Sequence, residues 1–240
     1  MFGKNSYLFF FLFMAFVACN DETKTSFSEI NIPLENNNIV EINIPEAKGN
    51  KTIANHINSE ISKTVSAALH IGNSDMIELK PIEESVKAFN DEYESFKNDF
   101  PETNLIWEAQ IDGEVIYQSP EIISIAITSY VNTGGAHGLL NISFLNFEST
   151  TGQKISSGKL INNLEGFKTL AKTHFDKSIS GKERIVFESD TFQLPANMAY
   201  SESGIVLLYN TYEIAPYSTG IIEFAIPFEE AEPFLVFNDF

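Results

Sequence analysis

The residues able to do chemistry in this chain are few and scattered. There are 4 histidines (His56, His70, His137 and His174), a single cysteine, Cys19, and 33 aspartates and glutamates. No two histidines stand in the His-x-x-x-His spacing that puts two ligands on one helix face. With one thiol, a zinc site would have to be completed by carboxylates. No metal site is therefore expected. A serine nucleophile would need the Gly-x-Ser-x-Gly elbow, which is absent. Gly134-Gly135 followed by Gly138 matches neither the dinucleotide fingerprint nor the phosphate loop. Paired carboxylates could run glycosidase chemistry, but no spacing singles out one pair. With no complete catalytic set, no catalytic residue and no cofactor are expected.

One stretch combines a titratable group with restricted geometry: Tyr130–Gly138, reading Tyr-Val-Asn-Thr-Gly-Gly-Ala-His-Gly. Its flanks are apolar and β-branched, so a tight glycine corner is expected between two buried strands. Gly134 and Gly135 are both expected in conformations closed to other residues. Within the corner, His137 can hydrogen-bond its own turn or contact a ligand. His56 falls beside the apolar stripe of the first helix and His174 on the packed side of the third, and structural roles are expected for both.

The lone Cys19 excludes an intramolecular disulfide. It follows a segment with the form of an export signal, Met1–Ala18, in which Lys4 precedes the apolar run Tyr7–Val17. That run is shorter than the roughly 20 residues a spanning helix needs. Phe16-Val17-Ala18-Cys19 has the form of a lipoprotein cleavage box, with Phe16 where leucine is usual. Residues 1–18 are expected to be removed, Cys19 to be acylated, and residues 19–26 to form a lipidated tether. The protein is then exported and lipid-anchored at the cell envelope, at the outer membrane on its periplasmic or surface face. The formal charge of −18 argues against nucleic acid and against anionic membrane faces. It suits a cationic partner, or serves solubility alone.

The elements that must position the corner follow from periodicity. Ile30, Ile32 and Leu34, then Val40, Ile42 and Ile44, alternate about Asn36-Asn37-Asn38 and predict a β-hairpin. Ile53, Ile57, Ile61, Val65 and Leu69 predict a helix from about Thr52 to His70, and Ile82, Val86, Phe89, Tyr93, Phe96 and Phe100 a second between Pro81 and Pro101. Leu105–Ile111 and Glu114–Gln118 predict a hairpin about Asp112-Gly113. Glu121–Val131 and Leu139–Phe147 predict the strands flanking the corner, the second with a mixed face. Leu164–Ile179 predicts a third helix. Phe192-Gln193-Leu194, Ile205–Tyr209 and Ile221–Ile226 predict strands closing the sheet, and Phe228–Leu235 a short last helix. The fold class is α+β: a curved, mostly antiparallel sheet with helices packed on it, in two closely joined halves, 27–148 and 149–240.

Thr-Gly-Gly-Ala-His-Gly, then Asn-Ile-Ser-Phe-Leu-Asn-Phe and Thr-Gly-Gln-Lys-Ile, resembles the paired extracytoplasmic domains of RsiV-type anti-sigma factors and the non-catalytic module beside PdaC-type deacetylase domains. Ser203-Gly204-Ile205-Val206 with Tyr212-Glu213-Ile214-Ala215-Pro216-Tyr217-Ser218-Thr219-Gly220 resembles the closing signature of the same module. Nothing in this sequence resembles a transmembrane anti-sigma segment or a catalytic deacetylase domain, so those activities do not carry over. The resemblance implies an envelope binding module whose ligand is a cationic hydrolase of the lysozyme type. The alternatives are peptidoglycan or a related glycan, and, behind both, an enzyme that modifies envelope glycan. Thr133, Gly134, Gly135, His137 and Gly138 on one turn, with Pro216 and Tyr217 on the other, are the expected recognition residues.

Overall fold

The computed structural model describes residues 24–32, 39–72, 80–181, 187 and 192–238. The export signal, Cys19, the tether up to residue 23 and the Asn36–Asn38 turn lie outside the described residues.

Two strands open the fold, β1 (Ser26–Asn31) and β2 (Val40–Lys48), paired antiparallel as the alternation requires. Helix α1 (Lys51–Ala68) starts at Asn50, whose side-chain oxygen accepts the Thr52 and Ile53 backbone N–H groups. That satisfies donors the first turn leaves orphaned. Its stripe of Ile57, Ile61, Val65 and Leu69 is buried. Helix α2 (Ile82–Asp99) carries Glu83 and Glu84 in its first turn and Lys97 in its last, each complementing the helix dipole. Its Phe89, Tyr93 and Phe96 close around Trp107, with ring centroids 5.5–5.7 Å apart.

The hairpin expected at Asp112-Gly113 is not there. β3 (Glu108–Gln118) runs straight through, with Asp112 opposite Thr128 and Gly113 opposite Ile127 of β4 (Ile122–Asn132). Gly113 is a packing glycine: a β-carbon there would lie 2.6 Å from Pro45 Cδ and 2.9 Å from Ile127 Cδ1. β5 (Leu139–Glu148) returns antiparallel to β4, and the two-residue β6 (Lys154–Ile155) pairs with its end. β2 and β3 are parallel, which requires a crossover, and α1 and α2 supply it. The other pairings of this six-stranded sheet are antiparallel. A bulge between Val115 and Tyr117 offsets β3 against β4.

The carboxy-terminal half has its own sheet. β7 (Asn197–Ser201), β8 (Gly204–Tyr209) and β9 (Ile222–Ile226) form an antiparallel three-stranded sheet covered by α3 (Leu164–Ser178), with the short α4 (Phe228–Ala231) beyond. These strands do not close the first sheet, and Phe192-Gln193-Leu194 is not a strand; Asn197–Ser201 takes its place. The outer edge of β5 is occupied by side chains instead. Phe144 N–H donates to Asn197 Oδ1 and Ile142 N–H to Asn210 Oδ1, while both asparagine amides donate back to Ile142 O. An edge satisfied in this way has no ladder left to offer β7.

Residues on the two faces of β4 therefore serve two cores. Ile123, Ile125 and Ile127 join the amino-terminal core with α1 and α2, whereas Ile122 joins Leu160, Phe167, Phe175 and Tyr200 in the other. Between them sits a buried polar joint. Ser124 Oγ donates to Asn146 Oδ1 at 2.7 Å, Asn146 Nδ2 donates to Met198 O at 2.9 Å, and Tyr200 N–H donates to Ser124 Oγ at 3.3 Å.

Candidate functional site

The glycine corner is where expected, between β4 and β5, but its glycines differ in kind. Gly134 has φ +82° and donates its N–H to Asn132 Oδ1, and a β-carbon on it would press on Leu105 at 3.1 Å. Gly135 has no left-handed backbone and meets only His137 O, at 3.7 Å; the expectation that both glycines are conformationally special is corrected to one. Gly138 is buried because its missing β-carbon leaves room for the Tyr130 ring, 2.4 Å from where that carbon would sit. Gly134→Ala is expected to cost on the order of 1 kcal/mol or more. Gly135→Ala should stay within about 0.5 kcal/mol. Paired thermal melts decide between them, and equal shifts would contradict the assignment.

The two turns meet. The rings of His137 and Tyr217 stack with centroids 3.7 Å apart and planes 15° from parallel. Tyr217 OH donates to Gly138 O at 2.9 Å, locking one turn to the other. Helical geometry at Tyr217–Thr219 follows from Pro216, whose carbonyl accepts the Thr219 N–H. Pro216 thus shapes the turn, and its ring stays exposed. Thr133 and Gly135 are exposed on the corner away from the stack, and Thr133 lines a cleft between α1 and the sheet.

Tyr212, which is not among the expected recognition residues, completes the cluster. Its hydroxyl lies 3.3 Å from His137 Nε2 and its ring 5.6 Å from that of Tyr217. His137 Nδ1 is 3.2 Å from Gly138 O, a carbonyl that can only accept, so Nδ1–H donates to it. Tyr212 is 54% exposed, and among the described residues it is the non-glycine residue with positive φ, 69°. A bulky aromatic in that region is an outlier sustained by its surroundings, of the kind that gathers at ligand sites. Here the turn is held by Glu213, which accepts Asn210 N–H through its carboxylate and donates its own N–H to Asn210 O. Nothing in the Asn-Thr-Tyr-Glu sequence signals a left-handed tyrosine.

Chemically, the cluster offers aromatic faces and hydroxyls. Among the described residues His137 has no carboxylate partner, and no group of three or more metal-binding side chains occurs. The other histidines are elsewhere. His56 Nδ1 bonds Thr151 O at 2.9 Å, and His174 Nε2 lies 3.1 Å from Glu230 Oε2.

Residues 32–140 match the family model described as Deacetylase PdaC, and residues 153–229 match that described as Protein of unknown function (DUF3298). The chain pairs a PdaC-type region with a DUF3298-type region. The corner and the Pro216-Tyr217 turn thus come from different regions of the pair. Two solved structures share the fold. A DUF3298 family protein from Bacteroides fragilis superposes with a TM-score of 0.61 at 18% identity, over 90% of this chain and 94% of that one. Another from Pseudomonas aeruginosa PAO1 gives 0.58 at 18% identity, over 91% and 96%. No curated protein matches the chain significantly. No helix among the described residues is long and apolar enough to cross a membrane.

Proposed function

We propose that this chain is a non-catalytic, extracytoplasmic binding module of the cell envelope, anchored through an acylated Cys19, that recognises cell-wall glycan with its His137–Tyr217–Tyr212 cluster. One observation carries the reading: three aromatic rings from two turns far apart in sequence converge at the surface, the outermost on a strained backbone. Stacked exposed aromatics with hydroxyls suit sugar rings, which present C–H faces and hydroxyl edges, and tyrosine orders with little loss of rotamer entropy. The PdaC-type match over residues 32–140 supports a cell-wall setting. A second reading, capture of a cationic lysozyme-type hydrolase, is favoured by the charge of −18, which would steer such a partner.

The test is sedimentation with purified cell-wall sacculi, using the parent, His137→Ala and Tyr212→Asn. Asparagine tolerates positive φ, so Tyr212→Asn should hold or raise the melting temperature while capture falls about tenfold or more. Retained capture by both variants would sink the glycan reading. Capture of lysozyme instead, abolished by salt, would favour the second. Mass analysis of the mature amino terminus tests the anchor, and an unmodified Cys19 would remove it.

A further inference from the structure

The mixed face of β5 has a structural cause. On the side of the sheet facing α1, Leu145 and Phe147 are buried beneath the helix, whereas Asn141 and Ser143 are only half-buried. Beyond the covered part, the helix flank carries small residues, Thr64, Ala67 and Ala68, that leave the sheet bare. The result is a cleft of about 730 Å³, within the size range of small-ligand sites. Its floor is a polar stripe. Ser129 pairs with Asn141 across the strands, Ser129 Oγ donates to Asn141 O at 3.4 Å, and Asn141 Nδ2 donates to Ser143 Oγ at 3.3 Å. Thr133 at the corner continues the lining, so the cleft opens beside the glycine turn.

The charge in this cleft runs against the rest of the molecule. Acidic residues outnumber lysine and arginine 33 to 15 in the chain, yet among the described residues the carboxylate and ammonium groups lining the cleft are Glu60, Lys63 and Lys154. Both ammonium groups share the one carboxylate, Lys63 Nζ at 2.6 Å from Oε1 and Lys154 Nζ at 3.3 Å from Oε2. Two cations against one anion leave a net positive charge. Each ammonium has three donors and the shared carboxylate takes one from each. Both lysine side chains are nearly half exposed, so the remaining donors face an accessible space.

We infer that this cleft is a ligand site for a carboxylated sugar, with the carboxylate held by Lys63 and Lys154 and the hydroxyl-bearing ring laid along Ser129, Asn141 and Ser143. A hydroxyl-rich ring matches a stripe of short donors and acceptors. A carboxylate is the anion two adjacent ammonium groups recognise at short range. The aromatic cluster takes no part, so this inference stands or falls separately from the glycan reading of that cluster.

The experiment titrates the purified, isotope-labelled protein with N-acetylmuramic acid and with N-acetylglucosamine, which differ by the lactyl carboxylate, and follows backbone amide shifts. The acidic sugar should move the amides of Ser129, Asn141 and Ser143 saturably. The neutral sugar should bind at least about fivefold more weakly. Lys63→Gln with Lys154→Gln should abolish that preference without altering the melting temperature by more than a few degrees. Equal binding of both sugars, shifts confined to other surfaces, no shifts with either sugar, or an unchanged preference in the lysine variant would each overturn the site. Should the lysine pair prove necessary to the fold, Asn141→Ala gives the same reading from the floor: weaker binding of the acidic sugar is expected, and unchanged binding counts against the site.

Discussion

Gly204→Ala is expected to destabilise this protein severely, although it adds a single methyl group. Gly204 opens β8 at the turn from β7 with φ +125°, a region outside even the left-handed helical well. A β-carbon there would lie 2.1 Å from Ile226 O and 2.8 Å from Ile226 C. Those atoms are backbone on the neighbouring strand, so no side-chain rotation relieves the overlap. β8 is buried along its whole length and paired on both sides, so the strand cannot shift without breaking two ladders. The expected cost is on the order of 3–5 kcal/mol, or about 10 °C in melting temperature for a chain of this size. Circular dichroism melts measure it, and a shift under about 3 °C would mean that the hairpin is looser than its pairing suggests.

Asn146→Leu comes next. Asn146 is 1% exposed and Ser124 is fully buried, and their bond is one arm of the joint between the two sheets. Leucine is close to isosteric but leaves Ser124 Oγ without its acceptor and Met198 O without the Asn146 donor. Met198 O keeps the Ser157 Oγ donor at 3.2 Å, so the stranded group is the Ser124 hydroxyl, and a loss of about 1–3 kcal/mol is expected. Ser124→Ala added to Asn146→Leu should recover little of it, since it removes the stranded hydroxyl but also takes the acceptor from the buried Tyr200 N–H. Trp107, 6% exposed within the amino-terminal aromatic cluster, lets fluorescence follow one half while circular dichroism follows both. If the single variant melts like the parent, the joint contributes nothing.

Much of this architecture is legible as periodicity. The four-residue steps from Ile53 to Leu69 and the steps from Ile82 to Phe96 place α1 and α2 within about two residues, because each stripe buries against a single sheet face. Strands β4 and β5 are equally plain. Gly113 misleads because Asp-Gly is a strong turn signal, and a glycine that admits Pro45 and Ile127 looks the same in sequence as one that turns. β7 escapes notice because Asn197-Met198-Ala199-Tyr200-Ser201 lacks the β-branched residues that mark strands; its stability comes from β8 and from the side-chain bonds of Asn197. At the candidate site, the meeting of His137 with Tyr217 joins residues distant in the chain, and no local pattern encodes it. The resemblance points at both turns. Tyr212 lies inside the matched segment, but its left-handed backbone is imposed by the Asn210–Glu213 turn and is not written in side-chain type.

The entry point of the chain gives the molecule a foot and a head. Ser26 pairs with Lys48, and Gln118 Nε2 donates to Thr25 O at 2.8 Å, so the chain enters the fold at the end of the sheet where β3 finishes and β4 begins. The glycine corner and its aromatic cluster are at the other end of β4, 11 residues away, or about 35 Å at the rise of an extended strand. Under the proposed anchor at Cys19, the end of the sheet where the chain enters would lie toward the bilayer. His137, Tyr212 and Tyr217 lie at the opposite end, and the cleft runs from Thr133 beside them back along the sheet to Lys154.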